Sequence, residues 1–311
     1  MSSTDETGVG VDGNELAIVD PHQHFWDLEH NYYPWLCDPE PIAFRYGDYE
    51  ALRKSYSPAD YRRDAGRNRI AATVHVQADW DPGDPVGETR WLEALRLTHG
   101  LPTACVAHAQ LDQDDVAELL TEHASHALVR GIRHKPRAAQ KPDQARRGLP
   151  GSMDDPRWRR GFALLERLSL SFDLQTPWWH LDAACDLARD FPRTPIILNH
   201  TGLPVDRTME GLAGWRAAMT ALARHSNAFV KISGLGQRDR AWTLEANRAV
   251  IRDTIAIFGV ERCMFASNFP VDKLCGTLET IYAGFRAAVA HLPLAEQRGL
   301  FHDNALRVYR L

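Results

Sequence analysis

The chain has 311 residues, 44% of them apolar and 25% charged, and carries 36 Lys plus Arg against 41 Asp plus Glu for a net charge of −5. That balance argues against a nucleic-acid-binding surface, and no apolar run approaches the roughly 18 residues a membrane helix needs. Residues 1–15 are rich in Ser, Gly and acid with no basic start or apolar core, unlike a signal peptide, and five cysteines without a Cys-x-x-Cys pair suit a reducing, cytoplasmic compartment.

In chain order, short apolar segments rich in β-branched residues fall at Ala17–Asp20, Ile70–Val76, Thr103–Ala109, Leu128–Ile132, Ser171–Leu174, Pro195–Leu198, Ala228–Ile232 and Cys263–Ala266. Few polar residues and no clean alternation predict strands covered on both faces. Helical periodicity appears at Asp112–Ala127, Trp158–Leu168, Leu181–Phe191, Thr208–Arg224, Trp242–Phe258 and Thr277–Ala290. Strand alternating with helix implies parallel pairing through right-handed crossovers, and eight strands in about 300 residues predict a single α/β domain, a (β/α)₈ TIM barrel over residues 16–311 behind a flexible tail. An open doubly wound sheet is the alternative.

Two stretches exceed simple connections. Phe25–Tyr61 is dense in aromatics and proline, enough to fold down as a lid or pocket wall, and Lys135–Pro156 is basic and Pro/Gly-rich, either a functional loop or a mobile surface one. Both follow predicted strands and so belong over the C-terminal mouth, where barrel active sites lie. The string Gly8-Val9-Gly10-Val11-Asp12-Gly13 precedes every strand and lacks the strand–turn–helix context of a dinucleotide site. Asn199-His200-Thr201 matches a glycosylation sequon but falls at a buried strand end.

Histidine is the outlier in composition, with 14 residues. Asp20-Pro21-His22-Gln23-His24-Phe25-Trp26 closes the first strand, and His-x-His on an extended chain points both rings to one side. Two neutral imidazoles facing one point suit a divalent metal such as zinc, or a hydrogen-bonded site for a polar ligand. The sixth strand ends in Asn199-His200-Thr201-Gly202, again placing an imidazole at the mouth. Gly131-Ile132-Arg133-His134 after the fourth offers a guanidinium shaped for a carboxylate, and Phe172-Asp173-Leu174-Gln175 with His180 forms a comparable end at the fifth. The second strand offers His75, Gln77 and Asp79, and Ser267-Asn268-Phe269-Pro270-Val271-Asp272 closes the ring at the eighth. His75 and His108 are expected to be packed core histidines.

The order His-x-His, Gly-Ile-Arg-His, Phe-Asp-Leu-Gln, Asn-His-Thr-Gly and Ser-Asn-Phe-Pro on the first, fourth, fifth, sixth and eighth strands resembles the amidohydrolase superfamily, in its lactonase-like amidohydrolase 2 group. The resemblance covers about residues 16–311. It implies a hydrolase opening the ring of a small anionic lactone, of sugar-acid or aromatic-degradation type. It implies His22, His24 and His200 as catalytic residues and metal ligands, and Arg133 as the substrate-binding arginine. Trp26, His134, Gln175 and His180 complete the expected substrate site. The cofactor is a divalent metal, zinc first, or none, since the group includes metal-free lactonases. A homo-oligomer is compatible with the chain.

One departure bears on mechanism. The family usually has an aspartate at the end of the eighth strand, a metal ligand and the base for the attacking water; this chain has Asn268, which cannot take a proton at neutral pH. Asp272 supplies the missing carboxylate if the loop turns back, and is otherwise an exposed loop residue; the exposed reading is preferred. The substitution leaves two alternatives to a hydrolase: a lyase, isomerase or decarboxylase on the same scaffold, or a catalytically silent barrel that binds a small molecule.

Overall fold

The computed structural model describes residues 16–311; the N-terminal tail and its Gly8–Gly13 string lie outside the described residues. In chain order the elements are β1 (Ile18–Gln23), α1 (Pro34–Cys37), α2 (Pro58–Ala65), β2 (Ile70–Val76), α3 (Gly87–His99), β3 (Ala104–His108), α4 (Val116–Ser125), β4 (Val129–Arg133), α5 (Pro156–Arg167) and β5 (Ser171–Leu174). There follow α6 (Leu181–Asp190), β6 (Ile196–Leu198), α7 (Met209–Leu222), β7 (Ala228–Ile232), α8 (Leu244–Phe258), β8 (Cys263–Phe265), α9 (Leu278–Val289), α10 (Leu294–Arg298) and α11 (Asn304–Tyr309). Strand boundaries agree with the sequence reading to within a residue or two for most strands; β1 runs three residues further, to Gln23. Helices α1, α2, α3, α10 and α11 were not foreseen.

The strands pair in parallel in the order β1 to β8. At the mouth the ring is drawn together by His24 N donating to Phe269 O and Asn268 N donating to His22 O, both at 2.7 Å. The eight strands therefore form a nearly closed (β/α)₈ barrel, and the open-sheet alternative is excluded. Polar hydroxyls start the outer helices: Thr208, Thr243 and Thr277 each accept from a backbone N–H one turn in, and Ser57 with Asp60 forms a capping box on α2.

Inside the barrel, Val19, Ala72, Val74, Val76, Val106, Ile197 and Met264 pack into one apolar cluster, closed by Tyr309 of α11. The larger core lies between strands and helices, around Trp158, Phe162, Phe172, Trp215 and Phe265. A register shift between Asp20 and Gln23 lets β1 contribute Val19 to the inner cluster and still bring His22 and His24 toward the mouth. No helix among the described residues is long and apolar enough to cross a membrane.

Candidate active site

Three imidazoles meet at the C-terminal mouth. The rings of His22 on β1 and His24 just after it lie 5.1 Å apart, and His22 lies 4.6 Å from His200, which follows β6. His200 reaches this position because His200, Thr201, Gly202 and Leu203 all adopt left-handed backbone, with φ from 52° to 68°. Such a run is strained for side-chain-bearing residues and is retained only where its surroundings hold it. Trp215 of α7 donates to Thr201 O at 2.8 Å and helps pin it.

Each ring has a different attachment. His24 Nδ1 lies 2.6 Å from Val76 O, so this nitrogen carries the proton and donates, and the ring, which lines the cavity, has the Asn268 side chain as a second polar neighbour. His200 Nδ1 lies 2.9 Å from Ser233 Oγ. Both ring nitrogens of His22 are buried without a partner. Burial first, then the positive charge of Lys231, Arg133 and Arg45, holds all three rings well below the ordinary histidine pKa. They are neutral at pH 7.

The cavity in front of His24 and His200 has a volume of about 310 Å³. Arg133 and Gln175 form one side, with Arg133 Nη1 donating to Gln175 Oε1 at 3.0 Å and Nη2 donating to Gln77 O, while its Nε–H is buried without an acceptor. The first long loop supplies the opposite wall. Trp26 packs edge-on to Trp35, and Trp35 stacks on Phe44, so the aromatic segment is folded down as a pocket wall.

Asp272 corrects the preferred exposed reading. The chain turns back after Pro270, Asp272 N donates to Asn268 O at 3.0 Å, and the carboxylate is only 1% exposed. Its Oδ1 accepts from Asn268 Nδ2 at 2.6 Å and from Tyr46 OH at 2.8 Å, with Arg45 Nη2 at 3.9 Å. Burial raises the Asp272 pKa, opposed by Arg45 and these two donors. Asn268 lines the cavity and Asp272 stands behind it, so the carboxylate orients the amide rather than facing a substrate.

Two expected substrate residues are placed elsewhere. His134 Nδ1 accepts from Leu111 N at 3.1 Å and Trp158 Nε1 at 3.0 Å, which ties the ring to the barrel wall outside the cavity. His180 Nε2 accepts from Ala139 N at 2.8 Å and so anchors the Lys135–Pro156 loop, which contributes only Lys135 to the cavity. His75 is a core residue as expected, its ring held between Glu88 and the Phe25 N–H.

Three important residues, Arg45, Tyr46 and Lys231, escaped the sequence reading of the site. Arg45 and Tyr46 come from the first loop; a Cβ added at Gly234 (φ +60°) would stand 2.5 Å from His200 Nδ1 and 2.7 Å from Arg45 Nη2, which shows how closely that arginine approaches the histidine. Lys231 and Asp173 form an ion pair inside the barrel, both 0% exposed. A Lys in the middle of an apolar strand, with an Asp similarly placed on β5, was the available signal for that pair.

Eight parallel strands carrying convergent histidines at their C-terminal ends define a barrel enzyme scaffold of the amidohydrolase type. A profile of the amidohydrolase family matches residues 19–311, and the chain belongs to that family. It is 44% identical over 299 residues to the uncharacterized protein y4mH of Sinorhizobium fredii, spanning 96% of this chain and 100% of that one. It is 28% identical over 309 residues to an L-fucono-1,5-lactonase of Burkholderia multivorans, spanning 94% and 96% of the two chains. A crystal structure of a Burkholderia multivorans amidohydrolase with bound zinc superposes with a TM-score of 0.78 at 25% identity, covering 95% of this chain and 99% of that one.

The residues here do not fit a zinc centre as arranged. His22, His24 and His200 bring suitable nitrogens, but among the described residues no three His, Cys, Asp or Glu side chains are set to hold a metal ion. Lys231, Arg133 and Arg45 surround the rings with positive charge, and Asp272, the carboxylate behind Asn268, is taken up by an amide and a phenol. The three histidine rings converge, but among the described residues they do not form a three-ligand metal cluster.

Restoring the family aspartate should not be benign. Asn268→Asp removes the donor to Asp272 and sets two buried carboxylates at hydrogen-bond distance, where both cannot ionise. The pair must keep a shared proton, so its pKa is raised and its contribution to stability is lost as pH rises through that value. Thermal melts are expected to show a deficit of about 1–3 kcal/mol relative to the native chain. The deficit should be larger at pH 8 than at pH 5; a deficit independent of pH would refute the shared proton.

Proposed function

We propose that this protein hydrolyses a small anionic lactone without a metal cofactor. The observation that carries the reading is the neutral His24 ring, its Nδ1–H held by Val76 O and its imidazole set in the cavity wall with Asn268 and the buried Arg133. Arg133 holds the substrate carboxylate with the donors that Gln175 and Gln77 leave over. The ring carbonyl lies in the cavity beside His200, and the Arg45 guanidinium, which lines the same cavity, stabilises the developing oxyanion. His24 Nε2 takes a proton from water as the water oxygen bonds to the carbonyl carbon. The tetrahedral intermediate collapses with cleavage of the ring C–O bond, and the His24 imidazolium returns its proton to the departing alkoxide, giving an open hydroxy acid. Asn268, held by Asp272, orients the water or a substrate hydroxyl from the eighth strand.

Named relatives support the hydrolase class, since L-fucono-1,5-lactonases are 27% and 28% identical over most of the chain. The test is acid release from a panel of sugar-acid and aromatic lactones in ¹⁸O-water, by protein treated with chelator. Labelled hydroxy acid is expected. Turnover without label would assign a lyase or isomerase, and activity that appears only with added zinc would overturn the metal-free mechanism.

A further inference from the structure

Across a wall formed by Arg45 and Leu203, a second concavity of about 490 Å³ adjoins the first. Arg45, Arg207, Arg238 and Arg240 line it, and Asp206 is the only carboxylate among its described lining residues. Asp206 is engaged locally, its Oδ1 accepting from Thr208 N at 2.9 Å, while Arg238 pairs on the surface with Asp239 at 3.5 Å. Among the described residues neither Arg207 nor Arg240 has a carboxylate within ion-pair distance.

Arg207 is the telling residue. Its Nε and Nη1 are buried with no acceptor, and its one side-chain bond is a long 3.4 Å contact to Asn247. Nη1 of Arg45, on the shared wall, is likewise buried and unpaired. Guanidinium nitrogens that have lost water without gaining an acceptor are destabilised, and an oxyanion that binds to them restores the missing bonds. Burial lowers the Arg207 pKa to about 10, which leaves it charged at neutral pH.

We infer that this concavity is a second anion subsite, in which Arg207 and Arg45, with Arg240 at the rim, hold a carboxylate or phosphate on the far end of the substrate. The assignment to substrate rests on the lactone reading above; the anion site does not. Arg45 touches both compartments, so a substrate anchored by Arg133 at one end and Arg207 at the other would pass directly in front of His200 and Asn268.

Calorimetric titration with inorganic phosphate at low ionic strength tests the site without turnover. Saturable binding by the native chain is expected, weakened at least tenfold by Arg207→Gln and partly kept by Arg207→Lys. Should Arg207→Gln fail to fold, Arg240→Gln at the exposed rim should weaken binding severalfold. Absence of saturable phosphate binding, or a folded Arg207→Gln protein that binds as the native chain does, overturns the subsite. Two lactones differing only by a distal carboxylate then separate a substrate arm from a free-anion site. A KM preference of at least tenfold for the carboxylated compound, collapsing in Arg207→Gln, supports the substrate assignment. Phosphate binding without that preference overturns it. If no lactone reacts at all, the lactone reading falls while the phosphate titration still decides the anion site.

Discussion

Asp173→Ala is expected to lower the unfolding free energy by about 3–5 kcal/mol, the range found when one partner of a buried ion pair is removed. Asp173 and Lys231 face each other inside the barrel with no solvent access. The carboxylate also accepts from Asn199 Nδ2 at 2.8 Å and from Tyr309 OH at 2.9 Å, so one side chain ties β5, β6, β7 and the C-terminal helix together. Burial already draws the Lys231 pKa down to about 8 with Asp173 present. Without the carboxylate the lysine must discharge. Neutralising an amine of ordinary pKa 10.5 at pH 7 costs about 5 kcal/mol, which sets a ceiling on the penalty. Replacing both partners together, as Asp173→Leu with Lys231→Met, should recover much of the loss, because two apolar groups need neither charge nor water. Urea unfolding of the three variants measures this. A single-variant loss below about 1 kcal/mol would show that the pair is not buried as described.

His24→Asn is expected to reduce kcat/KM by about 10²–10⁴, the usual contribution of a positioned general base. Asparagine keeps polarity and approximate size but cannot accept a proton, so the fold should survive where the rate does not. The pH profile gives an independent check. Burial and Arg133 depress the His24 pKa, so the free base is already dominant at neutrality and the rate should be flat there. Activity should fall only on the acid side, below the ordinary histidine value of 6.5. Stability changes in the same direction. Three rings that are neutral when folded but ready to charge when unfolded favour the unfolded chain as pH drops below that value, so the stability they permit is present above it and lost beneath. Rates must therefore be read with the folded fraction monitored. A rate that climbs through pH 6–7 with a histidine-like inflection, in fully folded protein, would refute a depressed His24.

Much of the frame was legible in the chain. β2, β5 and β7 begin and end where the apolar runs begin and end, because strands buried on both faces leave a continuous signature. Helix α3 escaped notice for the complementary reason. Its first turn buries polar residues, Glu88 against His75 and the Ala78 N–H and Thr89 against His123, so the stripe that packs inward does not read as apolar. His22, His24 and Arg133 could be assigned to the mouth because strand alternation and barrel geometry carry a residue's direction with its position. His134 and His180, a residue or a few beyond their strands, could not, since loop backbone decides where such rings turn.

What only the tertiary structure decided is set by contacts between residues far apart in sequence. Asp272 looked like a surface residue until the turn after Pro270 folded it beneath Asn268, and its burial depends on Tyr46 and Arg45, more than 220 positions away. The partners of Lys231 are Asp173 on β5 and the ring of Tyr309 in the last helix. Sequence pattern determined which residues form strands and which strand ends carry histidine, because periodicity is local. Charge pairing, the neutrality of the histidines and the arginine-lined second concavity were decided only when the barrel closed, because electrostatics depends on distance through space and on the water that folding removes.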